Sequence, residues 1–386
     1  MGIDLFYSLL SVKLGTCLPP VDPKIIQKRI ESKPDKKLNV KFGIDPTGSN
    51  IHIGHLCPIF VLNLFQKCGH NIDFVIGDFT ARIGDPSGQS SERSVITGEQ
   101  IEANYATYAK QVSPYIDIKK MRVRKNSEWL CKTSLMDFIG LQQNIKISVS
   151  MQREDFRHRM KSGSITNAEL LYASLMGLDS IALDTDVEIG GVDQLLNLQQ
   201  CRLVQEVYGR ENEIAVTVPI LEGTDGTGRK MSKSYGNYIP VNATADEKFG
   251  KFMSIPDSLI LPYYKAFAYI RYEELGTFQK FIKANPLEAK KQIAQYFISI
   301  EAKSIEAGEK ARERFEKKFT KKELVDGDFK ILEVVDGLPL LDALFTSGDF
   351  KSKNELRRLQ EQKAIKSLGD GKYKVGKLGF YKIKPF

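Results

Sequence analysis

The sequence is poor in the residues that build metal cages and disulfide frameworks. Its 386 residues include only four histidines, and its five cysteines, at positions 17, 57, 68, 131 and 201, form no CxxC pair. Scattered cysteines of this kind are typical of a reduced, cytosolic protein. We therefore expect a cytoplasmic location and no zinc or other protein-bound metal.

Long apolar runs are also missing. No window approaches the roughly 18 uninterrupted apolar residues of a membrane helix, and the first twenty residues lack the basic start and cleavage site of a secretory signal. Glycine and proline number only 30 and 15, while hydrophobic residues make up 42% and charged residues 27% of the chain. This balance excludes wholesale disorder and collagen-like repeats, and the length predicts two or three globular domains.

The net positive charge comes from one end of the chain. The net charge is +8, and residues 351–386 alone hold eleven basic and three acidic residues, so the rest of the chain is neutral. A basic end segment predicts an appendage that binds a polyanion, although a solvated lysine-rich tail fits the charge equally well.

Apolar runs alternate with segments of helical spacing. The runs predict strands at 39–45, 72–78, 120–125 and 213–221, and the spacing predicts helices at 51–69, 98–111, 194–208 and, as one long charged helix, 288–319. The order of strand, helix and strand indicates a parallel sheet with crossover helices.

The segment His52-Ile53-Gly54-His55 follows the first strand and a DPTG turn. At a helix start this spacing puts both imidazoles on one side, where backbone amides and the helix dipole favour phosphate. Two ordinary surface histidines are the simpler interpretation of HxxH alone.

A second cluster, Gly226-Thr227-Gly228-Arg229-Lys230-Met231-Ser232-Lys233-Ser234, lies about 175 residues later. Its glycines and lysines suit a loop that closes over a polyphosphate, and a solvated basic loop is the alternative. The GxxxxGK[ST] spacing of a P-loop is absent. Neither cluster offers a general base or a metal cage, which favours phosphoryl chemistry driven by positioning and charge neutralisation.

The two clusters together resemble the HIGH and KMSKS signatures of class I aminoacyl-tRNA synthetases. The segments KFGIDPTG (41–48), IGDFTARIGDPSG (76–88) and IGGVDQ (189–194) make the chain similar to the bacterial type of tyrosyl-tRNA synthetase from about Val40 to its end. The resemblance implies a doubly wound, Rossmann-like α/β catalytic domain, a helical anticodon-recognition domain and a small α/β RNA-binding module. The expected boundaries are an N-terminal extension over 1–38, the catalytic domain over 39–235, the helical domain over 236–325, a linker over 326–337 and the basic module over 338–386.

The resemblance also implies roles for individual residues. ATP would be bound by Thr47, His52, His55, Arg93, Gly191, Asp193, Lys230 and Lys233. The amino acid would be bound by Asp85, Tyr172, Met176, Asp179 and Gln194, with Asp85 and Tyr172 at its ammonium and Asp179 at its phenol. Catalysis would depend on His52, His55, Gln194, Lys230 and Lys233, with magnesium assisting ATP.

Helical spacing agrees with part of this assignment. Tyr172, Met176 and Asp179 occupy positions i, i+4 and i+7, so they share one helix face and could line one wall of a pocket. A buried carboxylate that accepts from a phenol would reject phenylalanine, because the missing hydroxyl leaves the acceptor unpaired.

Three residues depart from the family pattern. Met176 stands where a glutamine usually helps to bind the ammonium, Leu178 replaces a tyrosine, and Gln89 replaces a cation near pyrophosphate. These departures have two alternative explanations: sequence drift that nearby residues compensate, or a changed acid substrate.

The basic module resembles a small RNA-binding fold of two helices followed by a β-ribbon. Its expected phosphate contacts are Lys351, Lys353, Arg357, Arg358 and Lys363. The ribbon after Ala364 is shorter than is usual in the family.

The sequence therefore predicts an enzyme that activates tyrosine with ATP and transfers it to tRNA, acting as a homodimer. Two alternatives stay open: a synthetase-derived enzyme that activates a tyrosine-like acid outside translation, and a non-catalytic RNA-binding relative.

Overall fold

A six-stranded sheet organises the first part of the chain. The computed structural model describes residues 2–15, 17–18, 23–46, 48, 50–84, 97–151, 154–162, 165–320, 329–350, 352–376 and 379–385. The strands of this sheet are β1 (Cys17–Leu18), β2 (Asn39–Ile44), β3 (Asn71–Ile76), β4 (Met121–Lys125), β5 (Val187–Gly191) and β6 (Ile214–Val218). Their order is β1-β6-β5-β2-β3-β4, with β2 to β6 parallel and β1 antiparallel to β6.

This arrangement confirms the predicted Rossmann-like α/β fold. The inner strands are rich in Val, Ile and Phe because helices cover both faces of a parallel sheet. All four strands predicted from apolar runs are present within a few residues of their expected bounds. The fifth parallel strand, β5, was not predicted, because its sequence VEIGG contains a glutamate and two glycines and so forms no apolar run.

The helices around this sheet and after it are α1 (Ile3–Lys13), α2 (Pro23–Ser32), α3 (Cys57–Lys67), α4 (Gly98–Val112), α5 (Ser127–Leu130), α6 (Leu135–Gln142), α7 (Ile147–Ser150), α8 (Glu154–Ser162), α9 (Asn167–Ala182), α10 (Leu195–Val207), α11 (Ala245–Met253), α12 (Ile260–Phe267), α13 (Leu275–Ala284), α14 (Pro286–Ala302) and α15 (Ile305–Phe315). Helices α11 to α14 enclose buried aromatic rings of Phe252, Tyr263, Phe267 and Phe297. Among the described residues, none of the helices combines the length and the apolar character needed to cross a membrane.

The single long helix predicted over 288–319 is wrong. Helix α14 ends at Ala302 and α15 begins at Ile305, because Lys303 adopts a left-handed conformation with φ of 52° and breaks the hydrogen-bonding pattern. The pattern of charged residues continues across this break, so helical periodicity did not predict it.

The chain divides into two compact units, Met1–Glu309 and Lys310–Phe386. The second unit contains β7 (Lys330–Val334), α16 (Leu340–Phe345), α17 (Lys353–Glu361), β8 (Ile365–Gly369), β9 (Lys372–Val375) and β10 (Gly379–Pro385). Its sheet has the order β7-β10-β9-β8 and packs on a core that includes Leu332, Leu344, Leu356 and Tyr381. Strand β7 lies within the span predicted as a linker and pairs in parallel with β10.

Candidate active site

A cavity of the first unit lies where the sheet order reverses. From β2 the chain runs through β3 and β4 on one side, and then returns to β5 and β6 on the other side. Ligands of such sheets bind at this switch point, outside the carboxyl ends of the strands. A cleft of about 810 Å³ occupies this place, lined by the ends of β2 and β5 and by the segments around His52 and Lys230.

The HIGH segment forms a tight turn that leads into α3. Residues Ile53–Leu56 form one 3-10 turn, and the backbone N–H of His52 donates to Nδ1 of His55 at 3.2 Å. The two ring centroids are 3.9 Å apart. A Cβ at Gly54 would lie 3.0 Å from both Cε1 and Nδ1 of His52, so a side chain there would displace the first imidazole.

Both imidazoles of this segment are neutral at neutral pH. Desolvation, followed by the proximity of His55 and of the KMSKS lysines, lowers the pKa of His52 to about 3. Desolvation, together with Lys233, lowers the pKa of His55 to about 4. Nδ1 of His52 is buried and lacks a hydrogen-bond partner within the described part of the chain. A neutral imidazole keeps one N–H to donate, so this pair suits phosphate oxygens as donors and not as cations.

The segment that follows the KMSKS loop is joined to the HIGH segment by backbone hydrogen bonds. The N–H of Ile53 donates to the carbonyl of Ile239 at 3.0 Å, and the N–H of Val241 donates to the carbonyl of Ile51 at 3.1 Å. The buried amide of Asn237 holds the loop, because its Oδ1 accepts from the N–H of Ser232 at 2.8 Å. Lys230 and Lys233 remain exposed at the cleft, two cations on a loop whose base is fixed.

The predicted ribose site forms a 3-10 turn, Val192–Gln194, directly after β5. A Cβ at Gly191 would lie 2.4 Å from Oδ1 of Asp193, so glycine is needed for the close approach of this carboxylate to the backbone. Gln194 accepts at Oε1 from Nδ2 of Asn197 at 2.8 Å, and both Asp193 and Gln194 line the cleft.

A carboxylate that sequence reasoning missed lies at the end of β2. Tyr172 donates its hydroxyl proton to Oδ2 of Asp45 at 3.0 Å, and Thr80 donates to Oδ1 of the same carboxylate at 2.8 Å. A hydroxyl that donates to a carboxylate is oriented to accept from an ammonium. The position of Asp45 in KFGIDPTG, directly after the first strand, was the available signal.

Asp179 lies at the other end of the same helix face. Its side chain is buried, and Nε1 of Trp129 donates to Oδ1 at 2.8 Å while Nδ2 of Asn126 donates to Oδ2 at 3.5 Å. Burial raises the pKa of Asp179 to about 6, against the opposing effects of Lys41, Trp129 and Asn126. The carboxylate is therefore mostly ionised at neutral pH and can accept from a phenol.

Two of the three departures from the family pattern are located by the structure. Met176 lies between Tyr172 and Asp179 on α9 and lines the cleft. Leu178 faces away from the cleft and packs in a core cluster with Leu130, Leu175 and Val204, so it affects packing and not the cleft wall. The remaining sequence-predicted positions Thr47, Asp85, Gln89 and Arg93 lie outside the described residues.

The predicted RNA contacts of the second unit lie on and after α17. Lys353, Arg357, Arg358 and Lys363 are exposed, with Lys353 also paired to Asp342 at 2.6 Å. Lys351 lies outside the described residues.

The resemblance predicts a basic β-ribbon on this unit, but none of the lysines on its strands was among the predicted contacts. Strand register puts five lysines on the side of the sheet away from Tyr373 and Tyr381: Lys366, Lys372, Lys374, Lys382 and Lys384. We call these five residues the lysine face. Lys366 pairs directly with Lys374, and Lys372 with Lys382. Like charges directly opposite each other destabilise a sheet, so an anion beside these two pairs would relieve their repulsion. Lys384 lies opposite Glu333 of β7 instead. The alternation in KYKVGKLGFYKIK was the available signal.

Comparisons with known proteins agree with this geometry. A family model described as "tRNA synthetases class I (W and Y)" matches residues 33–320. The chain is 39% identical over 365 residues to "Tyrosine--tRNA ligase" of Thermotoga maritima, covering 90% of each chain. It is 37% identical over 389 residues to "Tyrosine--tRNA ligase" of Francisella tularensis, covering 96% of this chain and 97% of the relative.

Solved structures share the fold at lower identity. A truncated mitochondrial tyrosyl-tRNA synthetase of Aspergillus nidulans matches with a TM-score of 0.65 and 20% identity, over 82% of this chain and 94% of that one. Tyrosyl-tRNA synthetase of Archaeoglobus fulgidus, solved with L-tyrosine, matches with a TM-score of 0.61 and 21% identity, over 81% of this chain and 100% of that one.

The sheet, the cleft and the family model together define a class I tRNA synthetase of the tryptophan and tyrosine group. Within that group, the chain belongs to the tyrosine--tRNA ligase family.

Proposed function

We propose that the protein is a tyrosine–tRNA ligase that forms tyrosyl-adenylate from L-tyrosine and ATP and then transfers the tyrosyl group to tRNA. The observation that carries this proposal is the cleft itself. At one side of the cleft, two hydrogen-bonded segments present phosphate donors and cations, and at the other side carboxylates suit an ammonium and a phenol.

In the first step, the carboxylate of tyrosine attacks the α-phosphate of ATP and pyrophosphate leaves. The neutral imidazoles of His52 and His55 donate to phosphate oxygens, and Lys230 and Lys233 neutralise the charge that develops on the leaving pyrophosphate. Magnesium would neutralise part of the charge on the phosphates of ATP. Asp193 accepts from the ribose, Gly191 borders the nucleotide and Gln194 faces the reacting groups, while Thr47 and Arg93 complete the ATP site.

The amino acid is selected at both of its ends. Tyr172, oriented by Asp45, accepts from the α-ammonium together with Asp85, while Asp179 accepts from the phenol. Met176 lies between these groups and makes no comparable polar contact, so we expect tyrosine to bind more weakly than it would beside a glutamine.

In the second step, the terminal ribose hydroxyl of tRNA attacks the tyrosyl carbonyl and AMP leaves. We propose that helices in 236–325 recognise the anticodon, and that module 338–386 holds the tRNA backbone through Lys351, Lys353, Arg357, Arg358, Lys363 and the lysine face. These steps belong to translation in the cytoplasm.

We also propose a homodimer formed through α6. Leu135 and Met136 on this helix are 74% and 77% exposed, and Ile139 is exposed on the same helix. Exposed apolar patches of this kind mark interfaces, and a second copy of the same helix is the matching partner in a two-fold dimer. Leu135→Glu combined with Met136→Glu should convert the dimer to a monomer in sedimentation experiments, whereas a monomeric wild type would contradict the proposal.

ATP–pyrophosphate exchange with a panel of acids tests the function. We expect exchange with L-tyrosine, much less with L-phenylalanine, and less with 3-(4-hydroxyphenyl)propionate, which keeps the phenol and carboxylate but lacks the amine. Equal activation of the amine-free acid would favour an enzyme acting outside translation. Absence of exchange with every acid would favour a non-catalytic RNA-binding protein.

A further inference from the structure

A lysine is buried behind the amino-acid side of the cleft. Lys41 on β2 is 1% exposed, in the middle of a parallel sheet. Its Nζ lies 2.9 Å from Oε1 of Glu188 on β5, and it donates to Oγ of Ser180 at 2.6 Å and to the carbonyl of Met176 at 3.0 Å. These three partners use all three donors of an ammonium.

The charges around Lys41 keep it ionised. Burial lowers the pKa of Lys41, but Glu188, Cys201, Glu213 and Asp179 act in the opposite direction and the net pKa is raised. Glu188, Cys201 and Glu213 bring ligand-type atoms within 4.8 Å of one another. Burial raises the pKa of Glu188, with Lys41 acting in the opposite direction and Glu213 adding to the rise. The 2.9 Å contact makes Lys41 and Glu188 a buried lysine–glutamate pair.

Stability alone does not account for such a pair. Replacing a buried ion pair with apolar residues of similar volume is often neutral or stabilising, because desolvation of the charges offsets their attraction. Neighbouring positions on the same strand are apolar, with Val40 and Phe42 both buried. The contacts of Lys41 indicate a role in holding other parts of the site in place.

Two of the three contacts fix the helix that carries the amino-acid site. Met176 and Ser180 are one turn apart on α9, and Asp179 is adjacent to Ser180. The Tyr172–Asp45 hydrogen bond joins the same helix to the end of the same strand. Helix α9 is thus tied to β2 at two points.

We propose that Lys41 is a positioning residue for the selection of tyrosine, an inference that rests on the function proposed above. By anchoring α9 to β2, Lys41 sets the position of Tyr172 and Asp179 on the helix relative to Asp45 at the end of the strand. Its positive charge also favours the carboxylate form of Asp179, the form that accepts from the phenol.

The test replaces the ion pair by apolar residues, in Lys41→Met/Glu188→Leu. We expect the KM for tyrosine to rise about tenfold or more and the preference for tyrosine over phenylalanine to fall by a similar factor, since both depend on the geometry of α9. The KM for ATP should stay within about twofold, because the phosphate donors lie on other segments. A merely structural role would not separate the two substrates.

A matched control is available in the same unit. Lys248 and Glu301 form an ion pair whose lysine side chain is 3% exposed and which joins α11 to α14. Lys248→Met/Glu301→Leu should change thermal stability but leave the KM for tyrosine unchanged. Ser180→Ala removes one anchor while keeping every charge, and should raise the KM for tyrosine about two- to fivefold.

The proposal is overturned if the Lys41 double variant folds like the control and keeps both its KM for tyrosine and its discrimination. If that variant does not fold, an unchanged KM for tyrosine in Ser180→Ala overturns it. Failure of the wild type to activate tyrosine would instead refute the proposed function.

Discussion

The pH dependence of tyrosine activation provides a quantitative test of the role of Asp179. This carboxyl is 5% exposed, and its pKa is raised to about 6 chiefly by burial. Below that pH the group is protonated and loses its capacity to accept from the phenol as a carboxylate. Because His52 and His55 titrate near 3 and 4, they stay neutral across the same range.

The expected size of the pH effect on kcat/KM follows from the ionisation of Asp179. A group with a pKa of about 6 is roughly nine-tenths ionised at pH 7 and one-tenth ionised at pH 5, so kcat/KM for tyrosine should fall about tenfold between these values. Replacing the carboxylate, in Asp179→Asn, removes a hydrogen bond to a charged group. Such a loss costs about 1.5–3 kcal/mol, or roughly 10- to 150-fold in kcat/KM at pH 7.

The assay is ATP–pyrophosphate exchange from pH 5 to pH 8 with tyrosine and with phenylalanine. The acidic fall in kcat/KM should be present with tyrosine, weaker with phenylalanine, and absent in Asp179→Asn. Asp184→Asn, which changes an exposed carboxylate just after α9, is the control and should keep the wild-type profile. If Asp179→Asn keeps the acidic fall or the full preference for tyrosine, the phenol is bound elsewhere.

Four further changes test the rest of the cleft and the basic module. Lys230→Ala or Lys233→Ala should lower kcat for adenylate formation and leave the KM for ATP nearly unchanged, because these exposed lysines act on the charge that develops on pyrophosphate in the transition state. A raised KM for ATP with unchanged kcat in pyrophosphate exchange would contradict this. Met176→Gln should lower the KM for tyrosine about tenfold by supplying a partner for the ammonium, and no gain would show that the glutamine does not reach it. Removing residues 338–386 should weaken tRNA binding and its salt dependence while sparing pyrophosphate exchange, whereas an unchanged slope of log K against log salt would show a merely solvated tail. Changing the lysines of the lysine face to glutamine should reduce the slope of log K against log salt by somewhat less than one per lost phosphate contact. Arg357→Gln/Arg358→Gln gives the same measurement for the basic residues of α17.

Much of the first sheet could be predicted because its inner strands are buried on both faces. Apolar runs indicated β2, β3 and β6 directly, and the alternation in KMRVRK indicated β4, whose residues are half-buried or exposed. Strand β5 was missed since its residues serve the site as well as the core: Glu188 pairs with Lys41, and Gly191 makes room for Asp193.

The HIGH and KMSKS segments, which we propose bind ATP, could be recognised because each is contiguous in sequence. The proposed amino-acid site could be recognised only in part. Asn126 and Trp129, which hold Asp179, come from a segment about 50 residues away and carry no motif of their own. Long-range hydrogen bonds of this kind depend on packing, which periodicity does not encode.

Backbone conformation and long-range strand pairing also limited what could be predicted from the sequence. The break between α14 and α15 depends on one lysine with a positive φ, where charge and helical spacing continue unchanged. Strand β7 alternates in sequence like an edge strand, but its pairing with β10, 50 residues later, is a property of the folded unit.

Transfer of labelled tyrosine to tRNA tests the central claim most directly. Wild-type protein with ATP, magnesium and tRNA should form tyrosyl-tRNA, with little product from phenylalanine and little from the variant that combines Lys230→Ala with Lys233→Ala. A wild type that exchanges pyrophosphate with tyrosine but charges no tRNA would contradict the claim and assign the activated acid to a reaction outside translation.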